Sequence, residues 1–224
     1  MAGRLQKIWR EAAVVCFDFD STIIQNESIG ELASACGVQK EVEALTRSAM
    51  EGAFTFETSL RKRLSIINPT LSQVQELANK ESFLLSNGFI DLCERLQRQN
   101  KQIFIISGGF KDLIVPLSKR LRIPAENVFA NELIFDQLGN YQNFADLPTA
   151  RTGGKLDVIK EIKKRCKQAG SVVHIGDGIT DLETREEVDL FIGFGGNVVR
   201  DIVKQQSEWF VTDFEELNSL LEED

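Results

Sequence analysis

Short apolar runs alternate with amphipathic segments along most of the chain. Runs rich in Val, Ile and Phe end at small or acidic residues and predict strands at 12–18, 102–107, 127–130, 171–176, 189–194 and 208–212. Apolar residues at helical spacing predict helices at 87–100, 110–121, 155–168, 179–187 and 197–206. This alternation of strands and helices predicts an α/β fold, with a doubly wound parallel sheet and right-handed crossovers.

Two segments depart from the alternation. Residues 24–82 have only helical periodicity, so we expect a helical cap domain inserted directly after the first strand, with 1–23 and 83–224 forming the core. The turn sequence at 136–140, Asp-Gln-Leu-Gly-Asn, predicts a small β-hairpin within 131–144. Short helices are expected at both ends of the chain, over 1–12 and 215–224.

Charge and cysteine content narrow the classes of function. The 224 residues include 26 Lys and Arg against 34 Asp and Glu, a net charge of −8. An acidic chain without a basic run argues against nucleic acid and anionic membranes as partners, whereas one phosphate group needs only a local site. No segment has the pattern of a secretory signal or a membrane span. Four scattered cysteines and one histidine argue against zinc and favour reduced thiols in a cytoplasmic protein.

The first predicted strand ends in two carboxylates, Asp18 and Asp20. Side chains alternate along a strand, so the two point the same way if the extended geometry persists. Carboxylates this close repel each other unless a cation bridges them or one carries a proton, and both arrangements serve chemistry. Taken alone, the segment fits equally well a strand that ends in an ordinary polar turn.

Three later segments place further polar groups at strand ends or a helix start. Ser107-Gly108-Gly109 and Gly176-Asp177-Gly178 each follow a predicted strand, Asp181 lies one helical turn further on, and Lys155 opens a helix. Because the carboxyl ends of parallel strands line one crevice, these groups can converge on Asp18. Together they predict a site for Mg²⁺ and phosphate. We interpret His174, within an apolar run, as a core-strand residue without a catalytic part.

These motifs, in this order, resemble the signature motifs of the haloacid dehalogenase superfamily, phosphotransferase branch. The resemblance implies that Asp18 is a nucleophile that forms an aspartyl-phosphate, and that Asp20 is the general acid and base. Lys155 would supply a fixed positive charge beside the transferred group. We assign Mg²⁺ to the carboxylates of Asp18 and Asp177 and to the main-chain carbonyl of Asp20.

Further residues are predicted around this centre. The phosphate is expected to contact Ser107, Gly108, Gly109, Lys155 and Thr180. Thr22 would orient Asp20, although a plain turn hydroxyl explains it almost as well. Asp181 could bind the metal through water or pair with Lys155, and Asn131 is predicted to support the site from behind.

The likeness extends to the branch of this superfamily that hydrolyses O-phospho-L-serine. It is carried by Glu27, Met50, Phe56, Arg63, Asn131 and the run 191–197. It implies that Glu27 and Arg63 bind the amino and carboxylate groups of the substrate, while Met50, Gly52 and Phe56 line the cap wall. Taken alone, Glu27 and Arg63 would be ordinary solvated helix charges. Glu51 stands where many relatives have glycine.

The expected function is Mg²⁺-dependent hydrolysis of phosphoserine to L-serine and phosphate, the last step of L-serine biosynthesis in the family it resembles. The alternatives are the same chemistry on another small phosphomonoester, such as phosphoethanolamine, transfer to an alcohol, or a non-catalytic protein that binds a phosphometabolite. The sequence leaves the oligomeric state open, a homodimer included.

Overall fold

Strands and helices alternate through most of the protein. The structure, a computed structural model, describes residues 2–50, 55–80, 83–166 and 170–221. In chain order the elements are α1 (Ala2–Glu11), β1 (Ala12–Phe17), α2 (Ser28–Ala35), α3 (Gln39–Met50), α4 (Phe56–Ile67), α5 (Leu71–Asn79), α6 (Phe89–Arg98), β2 (Gln102–Phe110), α7 (Lys111–Arg120), β3 (Val128–Asn131), β4 (Leu133–Phe135), β5 (Tyr141–Phe144), α8 (Gly154–Arg165), β6 (Ser171–Gly176), α9 (Ile179–Leu182), β7 (Leu190–Phe194), α10 (Asp201–Gln206), β8 (Trp209–Val211) and α11 (Phe214–Asn218).

The main sheet has six strands in the order β3-β2-β1-β6-β7-β8. Every neighbouring pair is parallel, and β1 lies between β2 and β6, with Val15 opposite Ile103 on one side and Val173 on the other. The predicted doubly wound parallel sheet is therefore confirmed. Because β1, β2 and β6 are neighbours, the residues that follow them meet at one edge of the sheet.

The predicted β-hairpin is also confirmed. Strands β4 and β5 pair antiparallel, with Leu133 opposite Phe144. On the hairpin, Asn143 accepts a hydrogen bond from Arg61 of α4 at 3.1 Å, and the Arg61 guanidinium lies 4.8 Å from the centre of the Phe144 ring. The hairpin therefore contacts the helices that follow β1.

Three predicted helices differ from the observed ones. The helix predicted over 215–224 is α11, which ends at Asn218. The segment 179–187 contains α9 and then a 3₁₀ turn over Glu183–Glu186. The helix predicted from 197 begins only at Asp201, because Arg200 before it has extended backbone angles. The Asn197 side chain is turned back to donate to the main-chain oxygens of Ser21 and Ile24. A polar side chain used in this way belongs to the turn and not to the helix.

Helices α2 to α5 all lie within the segment predicted as a cap, and the division into core and cap stays a prediction. The chain enters and leaves this segment at one place, where Ile24 and Leu85 form an antiparallel bridge. The bridge lies a few residues beyond β1, so the two ends of the helical segment are near Asp18. Under the sheet, the ring of Phe89 packs against Phe17 and Phe214 with centroids 5.3 Å apart in each pair. In the described part of the chain, no helix is both long and apolar enough to cross a membrane.

Candidate active site

A cavity of about 320 Å³ opens at the carboxyl edge of the sheet. Residues from two sides line it. Asp18, Asp20, Lys155 and Asp177 come from the core strands and α8, whereas Glu27, Phe56 and Arg63 come from α2, α4 and the approach to them. The segments that the sequence predicts to converge therefore do so.

The backbone leaves β1 through a single π-helical turn over Phe19–Ile23. Asp18 caps this turn, and its Oδ1 accepts a hydrogen bond from the main-chain N–H of Phe19 at 2.7 Å. Within the turn Ser21 has a φ of 53°, in the left-handed region that a residue with a Cβ seldom adopts. Its hydroxyl donates to Glu27 Oε1 at 2.9 Å. The tight turn brings Asp18, Asp20 and Glu27 to the same cavity.

Lys155 lies between two carboxylates. Its Nζ is 2.7 Å from Asp18 Oδ1 and 2.7 Å from Asp181 Oδ1, and all three side chains are buried. Burial alone would lower the pKa of Lys155, but Asp18 and Asp181 together raise it above its ordinary value. Lys155 is therefore a permanent cation, and Asp181 pairs with it directly, one of the two alternatives that the sequence left open.

The negative charge of an ionised Asp18 is nevertheless only partly balanced by its neighbours. Burial, and then the Asp181 carboxylate, raise its pKa to about 8, although Lys155 and the Phe19 N–H act in the opposite direction. A carboxyl group serves as a nucleophile only when it has lost its proton. Asp18 therefore needs a further positive charge to be ready near neutral pH.

Asp20 is held by two donors. Its Oδ1 accepts the main-chain N–H of Ser28, and its Oδ2 accepts the Ser107 hydroxyl at 3.2 Å. Burial, followed by the nearby charges of Glu27 and Asp18, raises the pKa of Asp20 to about 7. A carboxyl group with this pKa can both give and take a proton near neutral pH, as an acid–base catalyst must.

The Ser107-Gly108-Gly109 segment needs its glycines; it lies within β2, which continues to Phe110 and does not end at 107 as predicted. A Cβ on Gly109 would lie 2.7 Å from Asp20 Oδ2, and a Cβ on Gly108 would lie 2.6 Å from Cζ of the Phe56 ring. The main-chain N–H of Gly109 donates to Ser107 Oγ at 2.8 Å, and Asn131 Nδ2 donates to the Gly108 oxygen at 2.8 Å. Asn131 is itself buried and accepts from Thr149, so it supports this segment.

Asp177 has partners that the sequence analysis did not assign. Thr22 Oγ1 donates to Asp177 Oδ1 at 3.2 Å, so the expectation that Thr22 orients Asp20 was wrong. The π-helical turn carries the Thr22 hydroxyl toward β6 instead. Arg200 Nε donates to Asp177 Oδ2 at 3.0 Å, and Arg200 Nη2 lies 3.8 Å from Glu27 Oε1. Burial and then Asp18 raise the pKa of Asp177 to about 6, against the lowering effect of Arg200.

Arg200 was missed because nothing in the local pattern separates it from other basic residues near a helix start. The usable signal was its position just after the glycine-rich end of β7, a strand that neighbours β6. A residue there can reach the same sheet edge as Asp177.

A cation site is formed where Asp18, Asp177 and Asp181 meet. Each offers one carboxylate oxygen, and these oxygens lie within 4.8 Å of one another. Asp181 already accepts from Lys155 on Oδ1 and from the Gly178 N–H on Oδ2, so Asp18 and Asp177 are the better ligands. A bound cation would stabilise the ionised form of both, whose pKa values are raised without one. The donor set therefore fits a hard metal ion.

The opposite wall carries the predicted specificity residues. Arg63 is half-buried, and its Nε donates only weakly to the main-chain oxygen of Ser59 at 3.4 Å. Burial lowers the pKa of Arg63, and the charges of Glu27 and Asp20 partly offset this. Phe56 and Thr180 also line the cavity.

The remaining residues predicted for this wall cannot be placed in the cavity. Met50 is the last residue of α3, but its side chain lies outside what the structure describes, as does Gly52 altogether.

Comparison with known proteins places this site in a family. A family model described as haloacid dehalogenase-like hydrolase matches residues 15–185. The chain therefore belongs to the haloacid dehalogenase-like hydrolases, as the order of its motifs predicts.

Within that family, the chain is similar to phosphoserine phosphatases. It is 46% identical over 222 residues to the phosphoserine phosphatase of Homo sapiens, a match that covers 99% of this chain and 98% of the human one. The crystal structure of a phosphoserine phosphohydrolase-like protein from Francisella tularensis subsp. tularensis SCHU S4 is 32% identical, with a TM-score of 0.81 over 93% of this chain and 99% of that one. A substrate-bound phosphoserine phosphatase complex is 26% identical, with a TM-score of 0.81 over 94% and 99% of the two chains.

Proposed function

We propose that this protein hydrolyses O-phospho-L-serine to L-serine and inorganic phosphate, with Mg²⁺ as its cofactor. One observation carries the proposal: a buried nucleophile, an acid–base carboxyl and a fixed ammonium lie on one wall of a cavity, and a separate cation and anion lie on the other. The first wall suits phosphoryl transfer, and the second suits a zwitterionic amino acid. The relatives named above support the same substrate.

In the first step, the Asp18 carboxylate attacks phosphorus. Oδ1 is held by Lys155 and by the Phe19 N–H, and among the described residues no donor reaches Oδ2. An oxygen of Asp18 forms the new bond to phosphorus, and the bond from phosphorus to the serine oxygen breaks. Asp20, protonated near neutral pH, gives its proton to the departing alkoxide.

In the second step, water hydrolyses the aspartyl-phosphate. Asp20, now ionised, takes a proton from the water while the water oxygen bonds to phosphorus. The bond between phosphorus and the Asp18 oxygen breaks. Phosphate leaves and both carboxyl groups return to their starting forms. Lys155 stays beside Asp18 throughout, which neutralises the charge that moves between nucleophile and phosphoryl oxygens.

Mg²⁺ would be held by the carboxylates of Asp18 and Asp177 and by the main-chain oxygen of Asp20. When bound, the ion supplies positive charge to the phosphoryl oxygens and to the carboxylates around them. Thr22 and Arg200 keep Asp177 in place, and the hard oxygen donors favour Mg²⁺ over softer metals.

Substrate choice comes from the opposite wall. The Arg63 guanidinium can bind the substrate carboxylate through two parallel hydrogen bonds, a geometry that a lysine does not reproduce. Glu27 would receive the substrate ammonium in place of the present 3.8 Å contact with Arg200. A cytoplasmic location and independence from nucleic acid and membranes stay predictions from the sequence.

The experiment is phosphate release across a panel of small monoesters, with and without Mg²⁺. Phosphoserine should be hydrolysed far faster than phosphoethanolamine, phosphoglycolate or pyridoxal phosphate, and only when the metal is present. Asp18→Asn, which preserves the shape of the side chain, is the control for contaminating phosphatases. Preference for another monoester would reject the substrate, and binding of phosphoserine without release would point to a non-catalytic protein.

A further inference from the structure

His174 is the only histidine of the chain, and the steps above give it no task. It lies on β6, three residues before Asp177, and is fully buried. Its two ring nitrogens face different groups. Nδ1 lies 2.6 Å from Thr184 Oγ1, and Nε2 lies 3.3 Å from Asp181 Oδ1. Buried polar atoms normally have a hydrogen-bond partner, so each ring nitrogen of His174 is expected to donate to or accept from a neighbour.

The position of one hydrogen follows from Thr184. Its Oγ1 lies 2.6 Å from the main-chain oxygen of Asp181, and a carbonyl oxygen can only accept. The single hydroxyl hydrogen of Thr184 is therefore directed to Asp181. The Thr184 oxygen must accept from the ring, so Nδ1 of His174 carries a hydrogen.

The other nitrogen then needs an explanation. Among the described residues, no conventional hydrogen bond reaches the buried Nε2. Its nearest charged neighbour, Asp181 Oδ1, also accepts the Lys155 ammonium at 2.7 Å. Two atoms that both present lone pairs repel each other at 3.3 Å in a buried site, whereas one hydrogen between them makes the contact attractive.

The surroundings favour such a shared hydrogen. Burial raises the pKa of Asp181, the Lys155 ammonium acts in the opposite direction, and the nearby Asp177 charge raises it further. Burial, together with the Lys155 charge, lowers the pKa of His174 well below its ordinary value. The neutral ring therefore presents Nε2 to Asp181 Oδ1, 3.3 Å away.

We propose that His174 is a positioning residue for the hydrolysis. It shares one hydrogen with Asp181 and so keeps the Asp181 carboxyl group in place, and Asp181 in turn holds the Lys155 ammonium beside Asp18. The proposal rests on the proposed function only for its kinetic consequence. A shared hydrogen also moves negative charge away from Asp181, which leaves more of the Lys155 charge for Asp18 and the phosphoryl group.

Two substitutions of similar size separate the contacts. In His174→Gln the amide nitrogen takes the place of Nε2 and can donate to Asp181. In His174→Asn the amide takes the place of Nδ1, so it can bond Thr184 but does not reach Asp181. We expect kcat for phosphoserine to fall about 3- to 10-fold in His174→Asn, the loss of about one hydrogen bond, with KM changed less than about 2-fold. His174→Gln should keep kcat within about 2-fold of the parent.

Val173→Ala provides the structural control. Val173 is fully buried on the same strand, next to His174 in the chain. The Val173→Ala substitution should lower Tm and leave kcat unchanged, because it removes buried packing contacts and does not alter the contact with Asp181. Equal kcat losses in the Gln and Asn variants, or a loss in Val173→Ala as large as that in His174→Asn, would overturn the proposal.

A measurement without turnover tests the hydrogen directly. Because the chain has one histidine, protein labelled with ¹⁵N-histidine gives the NMR signals of a single ring. We expect a protonated Nδ1 and a hydrogen-bonded Nε2 whose shift changes in Asp181→Asn. An unprotonated Nδ1, or an Nε2 shift indifferent to Asp181→Asn, would contradict the account. This result stands even if phosphoserine is not the substrate, so the two proposals can fail separately.

Discussion

The two walls of the cavity are built differently. On the core wall, Lys155 and Asp181 are buried, and each contacts two charged or polar side chains at fixed distances. On the opposite wall, the Glu27 side chain is 46% exposed, and among the described residues Arg63 donates only to its own helix. Groups already held in place need little reorganisation when charge develops, whereas groups with weak partners can exchange them for a ligand. The core wall is suited to chemistry and the opposite wall to recognition.

The largest effect should come from the nucleophile. Asp18→Asn keeps the size of the side chain but removes the charged oxygen, so turnover of every monoester should fall to background. The check is a phosphate-release assay at saturating Mg²⁺, with Asp157→Asn on the exposed side of α8 as the matched control. Residual turnover in Asp18→Asn that follows the wild-type substrate order would contradict the assignment.

Asp20→Asn should have the next largest effect. Loss of a general acid typically costs ~10²–10⁴-fold in rate. The hydrolysis rates of all monoesters should fall by the same factor, because the group acts on the ester oxygen. In the wild type, kcat/KM should decrease as the pH rises through about 7, since Asp20 must be protonated for the first step. This decrease should be absent in Asp20→Asn. An unchanged profile in the variant would assign the titration to another group.

Variants of the opposite wall should discriminate between substrates. Arg63→Ala should lose about 1.5–3 kcal/mol in kcat/KM for phosphoserine, the range for a charged hydrogen bond. Phosphoethanolamine has no carboxylate, so its kcat/KM should barely change. Lys62→Ala, on the same helix, is the matched control.

Glu27→Gln should complement this result through the amino group. The substitution should lower kcat/KM for phosphoserine more than kcat/KM for phosphoglycolate, which has no ammonium group. Equal losses for all substrates in both variants would show that Glu27 and Arg63 only support the fold of this wall.

The smallest effect concerns stability without metal. The folded-state pKa values of Asp18 and Asp20, about 8 and about 7, lie above those of unfolded carboxyl groups, so the folded state binds more protons. Their stabilising contribution is complete below the unfolded-state pKa of about 4 and is lost progressively as the pH rises from there through the folded-state values. In EDTA, Tm should therefore fall between about pH 4 and about pH 8, by about 2–4 °C for each kcal/mol. Asp18→Asn or added Mg²⁺ should flatten the decrease, and a Tm that rises over this range would contradict it.

The sequence predicted most of the core wall because its residues follow apolar strands. Asp18 and Asp177 each come directly after such a strand, Ser107 lies in the last part of β2, and parallel order alone brings strand ends together. The partners of these residues were harder to predict. Thr22 contacts Asp177 and not Asp20 because a π-helical turn, which no periodicity announces, rotates it toward β6.

Residues that act from outside a motif escaped the sequence analysis. Arg200 reaches Asp177 from a turn 23 positions away, and its local context resembles any helix approach. His174 was correctly predicted as a core-strand residue, but its contact with Asp181 depends on the side-chain geometry of α9 against β6. Such contacts between side chains of separate elements are fixed by packing, which a single sequence does not display.

The most direct test of the account is to trap the phosphorylated protein. The protein would be mixed with [³²P]phosphoserine and Mg²⁺, quenched in acid within a turnover, and the labelled peptide identified by mass spectrometry. The account predicts one acyl-phosphate, labile to hydroxylamine, on Asp18 in the wild type and in Arg63→Ala at higher substrate concentration, and none in Asp18→Asn. A label on another residue, or rapid phosphate release with no covalent label at any quench time, would contradict it.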